Sequence, residues 1–330
     1  MNRGRQQGKA GRKPRAAKTP AAPAAGRTPG RAGVSTDDLM RMALEMAGFR
    51  DVPPDSAVHV PGKGIRRILF TLDANVGLLL FAQQRGYDCV LAHHPCGTLL
   101  NQGEVYRQHI ALAVKYGILP AMVQAEIGPC VDRTVRRLRT RRYRSLYFES
   151  PNQTALEPDV ARMLGLSFLN IHNPLDEVGR QVGQALLDKV LRRRPAATLR
   201  DLVKAMYLRP ETRRAAEAYG QPLEIALGRP NAPAGRAAFV HGALSAPEAE
   251  IIRCYWHHGI STVMALHATF EDLERLRQDG GGHLILTSHY AGDSYGFTPF
   301  IRVMRDRGLT VDCVGGVLDV ARWEVPAATR

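Results

Sequence analysis

Cysteine is scarce and dispersed in this chain. Its five residues, Cys89, Cys96, Cys130, Cys254 and Cys313, are odd in number and include no Cys-x-x-Cys pair, which argues against a disulfide framework and a zinc ribbon. Long apolar runs are also missing. The longest, such as Val76 to Ala82, extend about seven residues, far short of the roughly 20 that a membrane helix needs. The basic start of the chain leads into more Pro, Gly and Ala in place of an apolar core segment, so no secretory signal is expected. A reducing, cytoplasmic setting is the expectation.

Acidic residues are absent from two stretches. Residues 1–34 hold nine Lys or Arg and no Asp or Glu, and residues 133–144 hold seven arginines and no acid. Set against a net charge of +14, these two blocks leave −2 for the rest of the chain. The basic charge is therefore segregated, unlike the spread of a dedicated nucleic-acid binder. With 45% hydrophobic and 23% charged residues in 330, the remainder is ordinary globular material for one large or two smaller domains.

Residues 1–34 have no aromatic and one Met, too little apolar surface to offset the entropy of ordering. They are expected to form a disordered basic tail. Three roles stay open for it: a solubilising extension; weak, salt-sensitive contact with nucleic acid or another anion; or an organellar transit peptide, which the absence of Ser before Ser35 and the many prolines disfavour. The arginine block at 133–144 likewise reads as a solvated face or as an anion contact.

Order is expected from Ser35, where Ser35 and Asp38 have capping-box spacing ahead of the Leu39, Met42, Ala43, Met46, Ala47 stripe, which ends at Gly48. Strand-like runs follow at Ile68 to Leu72 and Cys89 to Ala92, separated by a helix near Asn75 to Arg85. A helix near Glu104 to Tyr116 precedes the apolar run Ile118 to Val123, read as a third strand. The C-terminal third repeats this alternation with strands at 238–241, 261–265, 283–288 and 309–314. The middle carries a strand at 166–171 and helices near 187–193 and 198–206. Such alternation predicts an α/β protein: two three-layer lobes with mostly parallel or mixed sheets. The expected division is a tail, 1–34; a first lobe built from 35–149 and 237–330; and a middle lobe with linker, 150–236.

Two clusters sit where strands end, the edge of an α/β sheet at which ligands bind. His93-His94-Pro95 closes the second strand, and at a fraying strand end both imidazoles can turn toward one cavity and serve neighbouring metals. His289 and Asp293 follow a later strand four residues apart, which puts an imidazole and a carboxylate on one side of a helical turn. Asp73, on the same edge, is placed to orient one imidazole. His267 also follows a strand and stands near this edge. His257-His258 reads as a helix cap, and Cys96 as a small buried residue or a soft ligand.

With these residues in view, the chain resembles the NGG-one-interacting-factor-three-like proteins, also called dinuclear metal centre hexameric proteins or type 2 GTP cyclohydrolase I homologues. Leu72-Asp73-Ala74 followed by Gly86 through Pro95 is similar to that family's "LDAT … GADLIITHHP". Gly179 to Gly183 with Thr198 to Leu202 is similar to "GRIGEL … TLEEL", and His289 to Asp293 to "GHYATE". The resemblance implies a two-lobed subunit in a toroidal hexamer. It also implies one or two divalent ions per subunit, zinc, iron or manganese, held by His93, His94, His289 and Asp293, with Asp293 standing where the family has Glu.

The family's middle stretch, "AHTNLD", falls near Gln124 to Gly128 on this reading, with Gln124 at the His position and Gly128 at the Asp position. Glu126 or Asp132 then remains to supply the missing oxygen, neither in register. Two functions follow from the resemblance. One is metal-dependent hydrolysis, of cyclohydrolase type by family name, on a nucleotide-like or phosphate-containing substrate. The other is a non-catalytic scaffold or regulatory protein with a degenerate metal site, contacting nucleic acid through its tail.

Overall fold

A computed structural model describes residues 33–96, 101–144, 155–243 and 246–321. The expected basic tail lies outside these residues, apart from Gly33 and Val34.

The first helix, α1 (Thr36–Ala47), begins as its sequence dictates. The Ser35 hydroxyl accepts from the Asp38 amide, the Asp38 carboxylate accepts from the Ser35 amide, and Gly48 ends the helix in the left-handed conformation. There follow β1 (Ala57–Val60), β2 (Arg67–Thr71), α2 (Val76–Gln84) and β3 (Cys89–Ala92). A 3-10 turn at Gln102–Arg107 leads into α3 (Gln108–Lys115), then α4 (Pro120–Arg144), α5 (Leu156–Met163), β4 (Ser167–Asn170) and α6 (Asn173–Arg193). The second half runs α7 (Leu199–Met206), α8 (Pro210–Tyr219), β5 (Glu224–Leu227), β6 (Ala237–Phe239), α9 (Ala249–His257) and β7 (Thr262–Ala265). It ends with α10 (Phe270–Asp279), β8 (His283–Leu286), α11 (His289–Asp306) and β9 (Thr310–Cys313).

The strands form two mixed sheets, so the α/β expectation holds. One has the order β1-β4-β3-β2-β9 and the other β5-β8-β7-β6, and in each the first strand is antiparallel while the rest are parallel. The strand order distributes the chain differently from the expected grouping of 35–149 with 237–330. β4, from the middle segment, lies in the first sheet, while β6, β7 and β8 join β5 in the second. Only β9 returns to the first sheet, because Ile68 and Phe70 of β2 still need a partner on that side, which Val311 and Cys313 provide.

Both faces of each sheet are covered, as parallel strands require. Ile68, Phe70 and Leu91 point to α1, α6 and α11, whereas Leu69, Val90 and Phe168 point to α2 and α5. In the second sheet, Val263 and Leu284 face α3, α4, α9 and α10, while Phe239, Met264 and Ile285 face α6, α7 and α11. Helices α6 and α11 are thus the layer shared by the two sheets.

The apolar run Ile118 to Val123 is a helix start and not a strand. Gly117 closes α3 at φ 91°, and Pro120, which has no amide hydrogen to give a sheet, is the first residue of α4. The arginine block lies on α4. Arg133 and Arg137 pair with Glu248, and Arg139 pairs with Glu104, so these three serve as ion-pair partners.

Helices α6 and α11 meet backbone to backbone. A β-carbon at Gly296 would lie 2.0 Å from the Leu175 carbonyl oxygen, and one at Gly179 would lie 3.2 Å from the Gly296 nitrogen. No side chain fits at Gly296 unless the helices separate. Gly296→Ala is expected to destabilise the fold by at least about 2 kcal/mol, measured as a lower urea midpoint with unchanged slope. A variant as stable as wild type would contradict this account of the crossing.

Candidate metal centre

The C-terminal ends of β3, β4, β6 and β7 and the N-terminal ends of α6 and α11 converge on one region. His93 and His94 leave β3, His172 leaves β4 and caps α6, His241 leaves β6, and His267 leaves β7. Asp176 is in the first turn of α6, and His289 and Asp293 lie one turn apart at the start of α11. The positive ends of two helix dipoles face the region, which suits its carboxylates.

The donor atoms lie at ligand-like separations. His93 Nε2 is 3.2 Å from Asp176 Oδ1 and 3.9 Å from Asp293 Oδ2. His241 Nε2 is 3.3 Å from Asp176 Oδ1 and 3.7 Å from Asp293 Oδ1. His289 Nε2 is 3.1 Å from Asp293 Oδ2 and 3.0 Å from His94 Nε2. Two donors each about 2.1 Å from a common ion stand about 3.0 Å apart at a right angle and about 3.4 Å apart at the tetrahedral angle. Asp176 Oδ1, Asp293 Oδ2 and His241 Nε2 are buried without a hydrogen-bond partner among the described residues. Buried polar atoms are rarely left so, and a cation among them would satisfy all three.

The outer nitrogens of three imidazoles are already fixed. His93 Nδ1 donates to the Ile171 carbonyl at 3.0 Å, His94 Nδ1 to Asp73 at 2.8 Å, and His172 Nδ1 to Asp55 at 2.7 Å. Each bond turns Nε2 inward, the arrangement by which metal-binding histidines are oriented. The position before His289 is strained. Ser288 has φ 70° and ψ 158°, a region that costs a non-glycine residue of order 1–3 kcal/mol and is retained where the surroundings enforce it.

Charge in this region is in conflict. Burial and the neighbouring Asp176 push the Asp293 carboxyl well above its ordinary range. Asp176 is driven the opposite way: burial opposes its charge, but His241, His172 and His93 outweigh that and hold it well below. Burial lowers His93 to about 3 and, aided by His94 and His267, lowers His289 to about 4. His172 is the exception. Burial disfavours its charge, yet Asp176 and Asp55 raise it to about 9. The two acids, one ionised and one not, are the pattern that apposed buried carboxylates adopt.

The four residues read from the motifs, His93, His94, His289 and Asp293, are brought together here, and Asp73 orients His94 as expected. His267 stacks on His289 with ring centres 5.5 Å apart. Glu126 is elsewhere. It lies on α4 with its carboxylate against His257 and His258, and Asp132 pairs with Arg107. Neither supplies the missing oxygen. The carboxylate that stands beside His93 is that of Asp176, in the stretch Ile171-His172-Asn173-Pro174-Leu175-Asp176, which is similar to "AHTNLD" and lies directly after β4 and not after α3. The His-x-x-x-Asp spacing was the available signal. His241, a single histidine after a three-residue strand, carried none. A cavity of ≈ 40 Å³ lined by His172, His241, His267, His289 and both acids opens onto the cluster, with room for a few water-sized groups.

In metal-free protein, His172 contributes stability that is complete below its ordinary value of 6.5 and is lost as pH rises through about 9. The loss attributable to this group is on the order of 3 kcal/mol. Asp55→Asn removes one of the two carboxylates responsible. Urea unfolding in chelator at pH 6.5 and 9 is expected to show a smaller alkaline loss in the variant, and equal losses in both proteins would refute this assignment.

No protein-family model matches the chain, and no curated protein does. Among solved structures, a NIF3 superfamily protein from Sphaerobacter thermophilus is similar at 35% identity and a TM-score of 0.76, over 86% of this chain and 99% of that one. Reduced HcgD from Methanocaldococcus jannaschii shares the fold at 10% identity and a TM-score of 0.51, over 86% of this chain and 99% of its own.

Proposed function

This chain belongs to the NIF3 superfamily, and from that premise we propose that it binds divalent metal at the convergent histidine and aspartate cluster and acts as a metal-dependent hydrolase. The observation that carries the reading is the double membership of Asp293. One group of donor atoms comprises His94, His289 and Asp293, and another comprises His93, Asp176 and Asp293. A carboxylate common to two groups is what a dinuclear centre uses as a bridge. His241 extends the second group through its approaches to both acids, and His172 stands beside His93 and His94.

The group held by His93, His94, Asp176, His289 and Asp293 would be a divalent ion, and the chemistry it would supply is Lewis acidity toward a phosphoryl or carbonyl oxygen and a water of pKa about 7. The chain's own residues supply the rest. Asp73, Asp55 and the Ile171 carbonyl hold three imidazoles by their Nδ1 atoms, so the donor set is organised in advance. His267 is held neutral by burial and lines the cavity, where its neutral imidazole is available to take a proton from an incoming group. The two helix N-termini favour an anionic substrate, consistent with a phosphate-containing or nucleotide-like one.

The alternative of a degenerate, non-catalytic site rests on a missing middle motif together with the segregated basic blocks. The placement of His172 and Asp176 supports the hydrolase reading over it, and the tail that would touch nucleic acid lies outside the described residues. Among the described residues, no helix is long and apolar enough to cross a membrane; a cytoplasmic setting is part of the proposal. Homo-oligomerisation, as a hexamer, is part of the same proposal. It is supported by the exposed apolar residues Leu80 and Phe81 on α2 and Met163 on α5.

Metal analysis of purified protein tests the site. His94→Ala and His289→Ala are expected to lose metal from one group, and Asp293→Ala to lose more than either. Metal content unchanged in all three variants would sink the proposal.

A further inference from the structure

A second collection of ligand-type side chains lies away from this centre, on the outer helix layer of the second sheet. Cys254, His257 and His258 occupy positions i, i+3 and i+4 at the end of α9, so they share one face. Glu126 of α4 lies opposite. Its two oxygens are divided between the imidazoles, with Oε1 2.7 Å from His258 Nε2 and Oε2 3.4 Å from His257 Nδ1. The sulfur of Cys254, a ring nitrogen of His258 and a carboxylate oxygen of Glu126 all lie within 4.8 Å of one another.

Three features separate this group from ordinary surface polarity. First, the ion pairs of Glu126 among the described residues are with histidines only. A comparable group, Cys130 with Glu248 and Glu250, has its acids engaged by Arg133, Arg137 and Arg275 and has no need of a metal. Second, Cys254 is nearly fully buried, so its sulfur forms the floor of the group while His257 forms the exposed rim. Third, the group sits at the C-terminal end of α9, where the helix dipole favours a cation.

The geometry points to a second metal site, of zinc type, with Cys254, His258 and Glu126 as ligands; His257, outside that group but with Nδ1 3.4 Å from the second Glu126 oxygen, turns in from the surface as the fourth. One sulfur, two nitrogens and one oxygen are donors that zinc accepts and that magnesium or calcium do not. On binding, the Cys254 thiol gives up its proton to solvent and the thiolate joins the ion. To admit the ion the Glu126–His258 pair opens by about 0.7 Å, from 2.7 Å to the tetrahedral separation, and each ligating imidazole takes the tautomer that carries its proton on the nitrogen facing away from the ion. Four protein ligands leave no open position, so the role is structural: the ion ties α4 to α9 across the outer layer.

Cobalt(II) and zinc titrations of the full chain test this site separately from the central cluster, which is drawn with nitrogen and oxygen donors only. A thiolate-to-cobalt charge-transfer absorption is expected in wild type and in a His94→Ala/His289→Ala double variant, and its loss is expected in Cys254→Ser. Zinc is expected to raise the thermal midpoint of the double variant as well. Because Cys254 is buried, His258→Ala provides a second reading at a more accessible position: one zinc fewer per chain and no charge-transfer absorption. The proposal is overturned if wild type shows no thiolate absorption, if the absorption persists in Cys254→Ser, or if His258→Ala retains both absorption and zinc.

Discussion

Two carboxylates, Asp176 and Asp293, are buried side by side among the same imidazoles, 4% and 2% exposed. The organisation of the region follows from that juxtaposition. Like charges in a low-dielectric interior cannot both persist unless a compensating positive charge is close. Without an ion the compensation is partial: His172 is held protonated, Asp293 is pushed toward its neutral form, and three polar atoms remain without hydrogen bonds. A divalent cation would resolve all of these at once. Replacing the cluster with packed apolar residues would avoid the conflict altogether, so its presence in the middle of a well-filled fold argues for chemistry and against stability as its purpose.

The fold delivers the two acids from different parts of the chain. Asp176 starts α6 after a strand of the first sheet, whereas Asp293 starts α11 after a strand of the second. They meet because α6 and α11 form the layer that both sheets cover. The separation of the helices is set by glycine: Gly179 and Gly296 let one backbone rest on the other. The same crossing aims the two helix N-termini inward. Small residues at the contact are therefore a condition of the donor geometry and not only of packing.

Much of this was legible in the residues. Buried parallel strands read as apolar runs, so β2, β3, β4, β7, β8 and β9 were all expected near their observed places, and the histidines at their ends marked the ligand edge. The edge strands β1 and β5 were not. Each is four residues long, half-buried, and antiparallel to its neighbour, and each shows too little apolar patterning to stand out. The assignment of strands to sheets was also hidden, since pairing is decided by contacts distant in sequence. At the central cluster, the His-x-x-x-Asp spacing of His172 and Asp176 marks the motif, but reading Ile118 to Val123 as the third strand places it nearly fifty residues too early, because Pro120 turns that run into a helix.

Glu126 shows how such a displacement matters chemically. Assigned to the central cluster, it suggested a weakened or incomplete site. In its actual place beside Cys254 and His258 it belongs to a group of different character. The central donors are imidazole and carboxylate only, and a cavity leaves one side open to an incoming molecule, the condition for catalysis at a metal. The outer group adds a buried sulfur and offers four protein ligands, the condition for a closed structural site. Softer donors at the outer position would favour zinc, whereas nitrogen and oxygen donors such as those of the centre suit zinc, iron or manganese alike. Selection of a metal for the centre then rests on coordination number and on the fixed outer hydrogen bonds of its imidazoles, since the donor atoms themselves discriminate little.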